Sequence, residues 1–111
     1  MKIIISAMIE IDPKQRDMAL LDASPVIKDT LAEPGCIHYN WAADAINLGL
    51  IVVYEEWSSE ETLDLHFTTE NFTKMHTILG QRGLIKASAT KFAVNQEGPV
   101  FNSDGVATSK F

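Results

Sequence analysis

Apolar side chains occupy every odd position from residue 3 to 11, a two-residue period that is typical of a β-strand with one buried face. The other face carries its first charge at Glu10. The following residues, Asp12 to Gln15, form a typical helix start, with Asp12 as the cap, Pro13 at the first helical position and Gln15 completing a capping box. The pattern predicts a strand that leads directly into a helix.

The predicted first helix has an apolar stripe with three- and four-residue spacing. Its members are Leu20, Ala23, Ser24, Ile27 and Leu31. Pro25 interrupts the pattern because its nitrogen cannot donate to the Leu21 carbonyl, so we expect a kink or two helical pieces. Glu33-Pro34-Gly35 ends the helix, since a residue before proline avoids helical angles and glycine permits a turn.

Two further strands are predicted from Cys36 to Ala43 and from Leu50 to Trp57, the second with apolar residues on both faces. Helices on one side of a sheet account for only one apolar face. Too few residues remain for a second helical layer, so we expect a second copy of the chain to cover the other face. Tyr39 and Trp41 could line a pocket or this interface, and we favour the interface.

Two short helices and a last strand complete the predicted order. Ser58 and Glu61 have the spacing of a capping box, and Thr69 can cap a second helix from Glu70 to Leu79. A fourth strand follows from Leu84 to Asn95. The order βαββαβ predicts an α+β, ferredoxin-like fold, with a four-stranded antiparallel sheet and helices on one face.

The length of 111 residues and the hydrophobic content of 46% suffice for one compact core and exclude a disordered chain. We place the folded domain at residues 1–95. The C-terminal tail, residues 96–111, is rich in Gly, Ser, Asn and Asp. It is therefore either disordered or an arm that lies across the other subunit.

Charge and cysteine content exclude several partners. The net charge is −6 and the 9 Lys and Arg residues do not cluster, which argues against nucleic acid or an anionic membrane. No apolar run approaches the roughly 20 residues of a membrane span, and early acidic residues disfavour a signal peptide. Cys36 is the only cysteine, so we expect a cytoplasmic protein without disulfides. The histidines lack metal-binding spacing, and we predict no metal.

Several short motifs occur in a fixed order along the chain. They are Glu33-Pro34-Gly35-Cys36 leading to Tyr39, then Tyr54-Glu55-Glu56-Trp57-Ser58-Ser59-Glu60-Glu61, then Leu63, His66, Thr69 and Phe72. With this set, residues 3 to 94 resemble the antibiotic biosynthesis monooxygenase domain family. The resemblance implies a dimeric fold in which two sheets pack into an α+β barrel, with a pocket between sheet and helices in each subunit. Similar members include cofactor-free oxygenases that convert phenolic polycyclic substrates or quinols to quinones, enzymes that isomerise or degrade small metabolites, and haem-degrading relatives.

One position departs from the family pattern. Many members read His-x-x-Thr-x-His-Phe, and here Asn71 stands in place of the second histidine. A role that needs a titrating group at this position is therefore not expected, although Asn71 keeps both a donor and an acceptor. The haem-degrading branch has an asparagine on the first strand, where this chain has Ser6, Ala7 and Met8, so that branch is disfavoured.

His66 is the main candidate for chemistry. It follows Leu63 by three residues and faces the same side of its helix, where a histidine is either a hydrogen-bonded core residue or a base. Glu55 shares a strand face with Trp57, and it either orients His66 or is solvated at the end of the strand. A carboxylate beside an imidazole fixes the tautomer and makes the imidazole a better base.

Cofactor-free oxygenation needs a base and a dry, apolar pocket, because a deprotonated phenol or anthrone can itself pass an electron to O₂. We predict His66, Glu55 and Asn71 as catalytic residues, with no cofactor. The expected walls around an aromatic ring are Trp57, Phe67, Phe72 and Met75.

Three functions remain open at this point. The first is a cofactor-independent monooxygenase that oxidises a quinol or a phenolic or anthrone-type aromatic to a quinone. The second is an isomerase or other proton-transfer enzyme that acts on a small oxygenated metabolite in the same pocket. The third is a non-catalytic dimer that binds a small aromatic ligand, with His66 as a polar anchor.

Overall fold

Four strands and three helices form the core of the chain in a computed structural model that describes residues 1–111. In chain order they are β1 (Ile3–Ile11), α1 (Arg16–Leu31), β2 (Cys36–Ala43), β3 (Leu50–Trp57), α2 (Glu60–His66), α3 (Glu70–Gln81) and β4 (Leu84–Ala93). None of the helices is long and apolar enough to cross a membrane.

The strands form one antiparallel sheet in the order β2-β3-β1-β4. The odd-numbered residues of β1 are buried and the even-numbered residues are half-buried or exposed, as the alternation predicts. The register pairs Ile3 with Trp57 and Ile5 with Glu55, so these side chains share the helix-covered face. The predicted α+β, ferredoxin-like fold is confirmed.

The first helix begins later than the sequence predicts. Asp12 does not cap it, because its Oδ1 accepts from the Lys14 backbone N–H at 2.9 Å and closes a turn instead. Gln15 precedes the helix without a side-chain cap. Arg16 Nη1 donates to the carbonyl oxygens of Asp44 and Asn47 at 3.1 and 2.8 Å. This long-range anchor lies at the first residue of α1, and a local capping rule cannot include it.

Helix α1 continues through Pro25 as a single element, so the prediction of two helical pieces is wrong. Pro25 and Leu21 both lie on the exposed side, where water can bond the carbonyl that proline leaves free. The buried stripe also differs from the predicted one, since Leu31 is 47% exposed. The buried residues are Arg16, Ala19, Ala23, Val26 and Thr30.

Two side-chain caps set the starts of α2 and α3. Ser59 caps α2, because its Oγ accepts from the Thr62 backbone N–H at 3.2 Å and Thr62 Oγ1 accepts from the Ser59 backbone N–H. The predicted box of Ser58 and Glu61 is therefore wrong by one residue, since Ser58 N–H still donates to the Gly35 carbonyl beside the sheet. Thr69 caps α3 as predicted.

Strand β4 is an edge strand whose residues are all exposed, even on the face that carries the helices. Ala87 and Ala89 lie opposite Ile9 and Ala7 of β1, and their small side chains leave a gap beneath α3. The C-terminal tail beyond β4 has one isolated bridge, between Phe101 and Ala107. Whether this tail embraces a partner stays a prediction.

Candidate active site

A cavity of about 270 Å³ lies between the sheet and the two short helices. Its walls are almost entirely apolar, and strand β4 supplies a floor of small residues. The residues around it include Ile5, Ala7, Val53, Phe67, Phe72, Met75, Leu79, Ala87 and Ala89. Phe67, Phe72 and Met75 therefore line the cavity, as the sequence predicts.

His66 lies at one wall of this cavity and is almost fully buried. Its Nδ1 lies 2.7 Å from Glu33 Oε1. Because a carboxylate accepts hydrogen bonds, Nδ1 carries a proton in this contact, and in the neutral imidazole Nε2 is then the acceptor. The Nδ1 contact is the one hydrogen bond of the His66 ring, so in this neutral tautomer Nε2 is free to act as a general base.

Glu33 is the centre of the polar cluster behind His66. Its Oε2 accepts from Asn71 Nδ2 at 2.9 Å and from Thr69 Oγ1 at 3.5 Å. The turn after Glu33 depends on Gly35, whose φ is +77° and at which a Cβ would collide with Thr62. The start of β2 therefore packs against α2, and the carboxylate reaches the histidine from the end of α1.

Glu33 has the position beside His66 that the sequence predicts for Glu55. Glu55 Oε1 instead accepts from Trp57 Nε1–H at 3.0 Å, and no ion pair joins Glu55 to His66. Glu55 is also buried rather than solvated, so both predicted alternatives are wrong. Burial raises the pKa of Glu55, while the bond from Trp57 and the nearby His66 counteract part of the rise. The one signal for Glu33 in the sequence is its position directly before the Pro34-Gly35 turn.

Trp57 and Asn71 lie behind the residues that line the cavity and do not contact its interior. Trp57 is fully buried, and its ring centroid lies 4.6 Å from that of His66. Neither it nor Asn71 lines the cavity, so the prediction of Trp57 as a wall is wrong. Asn71 holds Glu33 through its Nδ2 donor, a role that needs no titrating group.

Tyr39 and Trp41 both line the cavity, and the expectation of an interface position is wrong. The register pairs Tyr39 with Glu55 and Trp41 with Val53, which places both on the helix-covered face. A register shift between Cys36 and His38 breaks the simple alternation at the start of β2. Burial, and next the charge of Glu55, raise the pKa of the Tyr39 hydroxyl, so it stays protonated near neutral pH.

The remaining titratable groups take no part in the contact between Glu33 and His66. His38 is on the opposite face of the sheet, 3.5 Å from Glu56. His76 is an exposed residue of α3 at the rim of the cavity, and its Nδ1 lies 2.9 Å from the Phe72 carbonyl oxygen. Burial, and next the charge of Glu33, raise the pKa of the Cys36 thiol to about 11, so this cysteine is a poor nucleophile at neutral pH. No group of three or more His, Cys, Asp or Glu residues is arranged to hold a metal ion.

Comparison with known proteins places this site in a family. The family model for antibiotic biosynthesis monooxygenases matches residues 2–78, a span that includes Glu33, Glu55, His66 and Asn71. The chain belongs to the antibiotic biosynthesis monooxygenase family. No curated protein matches the chain in sequence.

Solved structures agree with the family fold. A Deinococcus radiodurans protein named as a candidate antibiotic biosynthesis monooxygenase superposes with a TM-score of 0.81 at 14% identity, over 90% of this chain and 99% of that one. Rv0793 from Mycobacterium tuberculosis gives 0.77 at 22% identity, over 89% and 100%. An antibiotic biosynthesis monooxygenase gives 0.75 at 24% identity, over 85% and 99%. At these identities the likeness establishes the fold alone.

Proposed function

We propose that this family member is a cofactor-independent monooxygenase that oxidises a quinol or related phenolic aromatic to a quinone with O₂. The observation that carries the proposal is His66, whose Nε2 is free at an apolar cavity while Nδ1 is held by Glu33. A histidine fixed in this tautomer can accept a proton from a phenolic hydroxyl. The Glu33 carboxylate then stabilises the imidazolium that forms.

The chemistry after proton removal needs the substrate as its own reductant. The electron-rich anion passes one electron to O₂, and the resulting radicals combine at a ring carbon to form a hydroperoxide. The proton taken up by His66 returns to the peroxide anion, and loss of water at this carbon, which carries a hydrogen, leaves a new carbonyl. A phenol thus gives a quinone and a quinol gives a hydroxyquinone. In each case the substrate loses two hydrogens and gains one oxygen atom, and the second oxygen atom leaves as water. The apolar walls exclude bulk water and disfavour the escape of charged intermediates.

The size of the cavity favours a small substrate. Its volume of about 270 Å³ lies just below the range of roughly 300–1,000 Å³ that is typical of drug-sized ligands. Phe67 and Phe72, whose ring centroids are 5.1 Å apart, can contact an aromatic ring by edge or face. A substrate with one ring or two fused rings therefore fits better than a larger polycycle.

Oxygen consumption with a panel of hydroquinones tests the proposal, with chelator present and no flavin added. We expect turnover by the wild type, a loss on the order of 10²-fold or more in His66→Ala, and little change in His38→Gln on the opposite sheet face. With ¹⁸O₂, one labelled atom should enter the product and one should enter water. Turnover that continues without O₂ would instead favour the isomerase. A ligand that binds and is recovered unchanged would favour the binding protein.

A further inference from the structure

Two neighbouring donors, the indole N–H of Trp41 and the hydroxyl of Tyr39, belong to residues that line the cavity. Trp41 Nε1 is the one buried side-chain polar atom without a hydrogen bond. The Tyr39 hydroxyl beside it forms no hydrogen bond of acceptable geometry either, although the two ring centroids are only 6.0 Å apart. A buried donor without a partner is destabilising, so the Trp41 N–H favours a nearby acceptor, and the Tyr39 hydroxyl is the neighbouring polar group. The hydrogen of that hydroxyl in turn favours a ligand oxygen that accepts a hydrogen bond.

The relation between the two side chains suggests a short relay. The indole N–H of Trp41 lies close enough to the Tyr39 hydroxyl to lower its pKa slightly, against the larger rise caused by burial. A small shift of the Trp41 indole ring would make Tyr39 Oη the acceptor of that N–H. The hydroxyl hydrogen of Tyr39 would then be available to a ligand, and hydrogen bonds in such a chain strengthen one another.

The polar groups of the cavity separate into acceptors and donors. The acceptors are His66 Nε2 and the Glu55 carboxylate. Glu55 is paired with Tyr39 in the sheet, and the His66 ring lies against Trp57, two residues further along β3. Trp41 follows Tyr39 by two residues along β2 and is paired with Val53, on the side of Tyr39 away from Trp57. One part of the cavity therefore offers acceptors, which suit a substrate hydroxyl. The part near Tyr39 and Trp41 offers donors, which suit a ligand oxygen that carries no hydrogen.

We propose that Tyr39, backed by Trp41, donates a hydrogen bond to a second oxygen of the aromatic ligand, at a ring position away from the hydroxyl that faces His66. This rests on the proposed function for the role of His66. The ligand class is then a phenol with an oxygen substituent across the ring, such as a hydroquinone, its monoether or a hydroxyaryl ketone. When the ligand is a hydroquinone, that oxygen becomes a carbonyl as the ring is oxidised, and a carbonyl oxygen accepts hydrogen bonds without donating any.

Binding of two matched phenols under anaerobic conditions tests the proposal without turnover, because the proposed reaction consumes O₂. 4-Methoxyphenol and 4-ethylphenol have similar shapes, but only the first has an acceptor across the ring. We expect titration calorimetry on the wild type to show a preference of about fivefold to tenfold for 4-methoxyphenol, the size of one net hydrogen bond. Tyr39→Phe should abolish the preference while keeping the affinity for 4-ethylphenol. Trp41→Phe should reduce the preference, and Tyr54→Phe on the opposite sheet face should not change it.

Several results would overturn this assignment. Equal affinity of the wild type for both phenols, or no binding of either at millimolar concentration, would contradict it. An equal loss for both phenols in a folded Tyr39→Phe protein would mean that Tyr39 contacts the shared hydroxyl. His66→Ala separates the two proposals, because it should abolish turnover and keep the preference. If the wild type prefers 4-methoxyphenol but oxidises no quinol, the monooxygenase proposal is refuted and the proposed role of Tyr39 and Trp41 stands. If it oxidises quinols but shows no preference between the two phenols, the role of Tyr39 and Trp41 is refuted and the monooxygenase proposal stands.

Discussion

At the scale of single residues, the contact between Glu33 and His66 determines which nitrogen of the imidazole faces the cavity. Glu33→Gln keeps an oxygen for Nδ1–H but removes the charge that stabilises the imidazolium. If the proposed function is right, we expect kcat for quinol oxidation to fall on the order of 10²-fold. Asn71→Ala removes one bond to Glu33 and keeps its charge, so the loss should be smaller.

Steady-state kinetics with thermal melts as a check on folding measure this effect. Glu70→Gln is a matched control, because Glu70 is exposed and meets only Lys74 at 3.8 Å. An unchanged kcat in Glu33→Gln would remove Glu33 from the mechanism.

The buried Glu55 makes the stability of the fold depend on pH. Burial raises its pKa above the ordinary value of 4.5, so the folded state binds this proton more tightly than the unfolded chain. The contribution of Glu55 is therefore favourable at low pH and is lost as pH rises through the raised pKa. Glu55→Gln can keep the bond from Trp57 without the charge, and we expect it to raise Tm near neutral pH.

This gain should shrink as the pH falls and should vanish below about pH 4.5, where Glu55 is protonated in both states. Thermal melts between pH 4 and 8 measure the dependence, with exposed Glu61→Gln as the control. A gain of the same size at every pH would mean that the ionisation of Glu55 is not its cause.

At the scale of elements, the cap of α2 sets the position of His66, which is the last residue of that helix. Ser59→Ala removes the side-chain acceptor for the Thr62 backbone N–H. A lost cap of this kind costs about 1 kcal/mol of unfolding free energy. Ser58→Ala is the paired control. The Ser58 side chain makes one hydrogen bond, with the Thr62 hydroxyl at 3.4 Å, so this change should cost less than half as much. Urea denaturation measures both values, and a larger loss in Ser58→Ala would contradict the observed cap.

Helices and strands were predictable from the sequence where residues close together in the chain determine their bounds. The wrong predictions concern features that depend on contacts between distant parts of the chain. The alternation in β1 and the cap at Thr69 act over a few residues, and both predictions are confirmed. The start of α1 depends on Arg16 and a loop some 30 residues away, which no local rule contains. The site shows the same division. His66 was predictable from its helix, but Glu33 lies 33 residues from it in sequence, and only the fold brings them together.

At the scale of the whole molecule, one face of the sheet has no cover. Met8 is 55% exposed and Tyr54 39% exposed at the centre of this face, while the helices occupy the other side. Unpartnered apolar surface of this kind is typical of protein interfaces. We propose that two copies of the chain pair through this face, as a two-fold dimer with each cavity on the outer side of its own sheet.

Met8→Glu tests the pairing, because two-fold symmetry places two uncompensated carboxylates in the apolar interface, which is costly. We expect sedimentation at micromolar concentration to give a dimer for the wild type and a monomer for Met8→Glu. Met18→Glu is the matched control, since Met18 is 44% exposed on α1, on the helix side of the sheet, and should remain dimeric. A monomeric wild type, or a Met8→Glu protein that stays dimeric, would rule out pairing through this face. Because the proposed pairing uses the opposite face of the sheet from the cavity, a folded monomer should keep its preference between the two phenols.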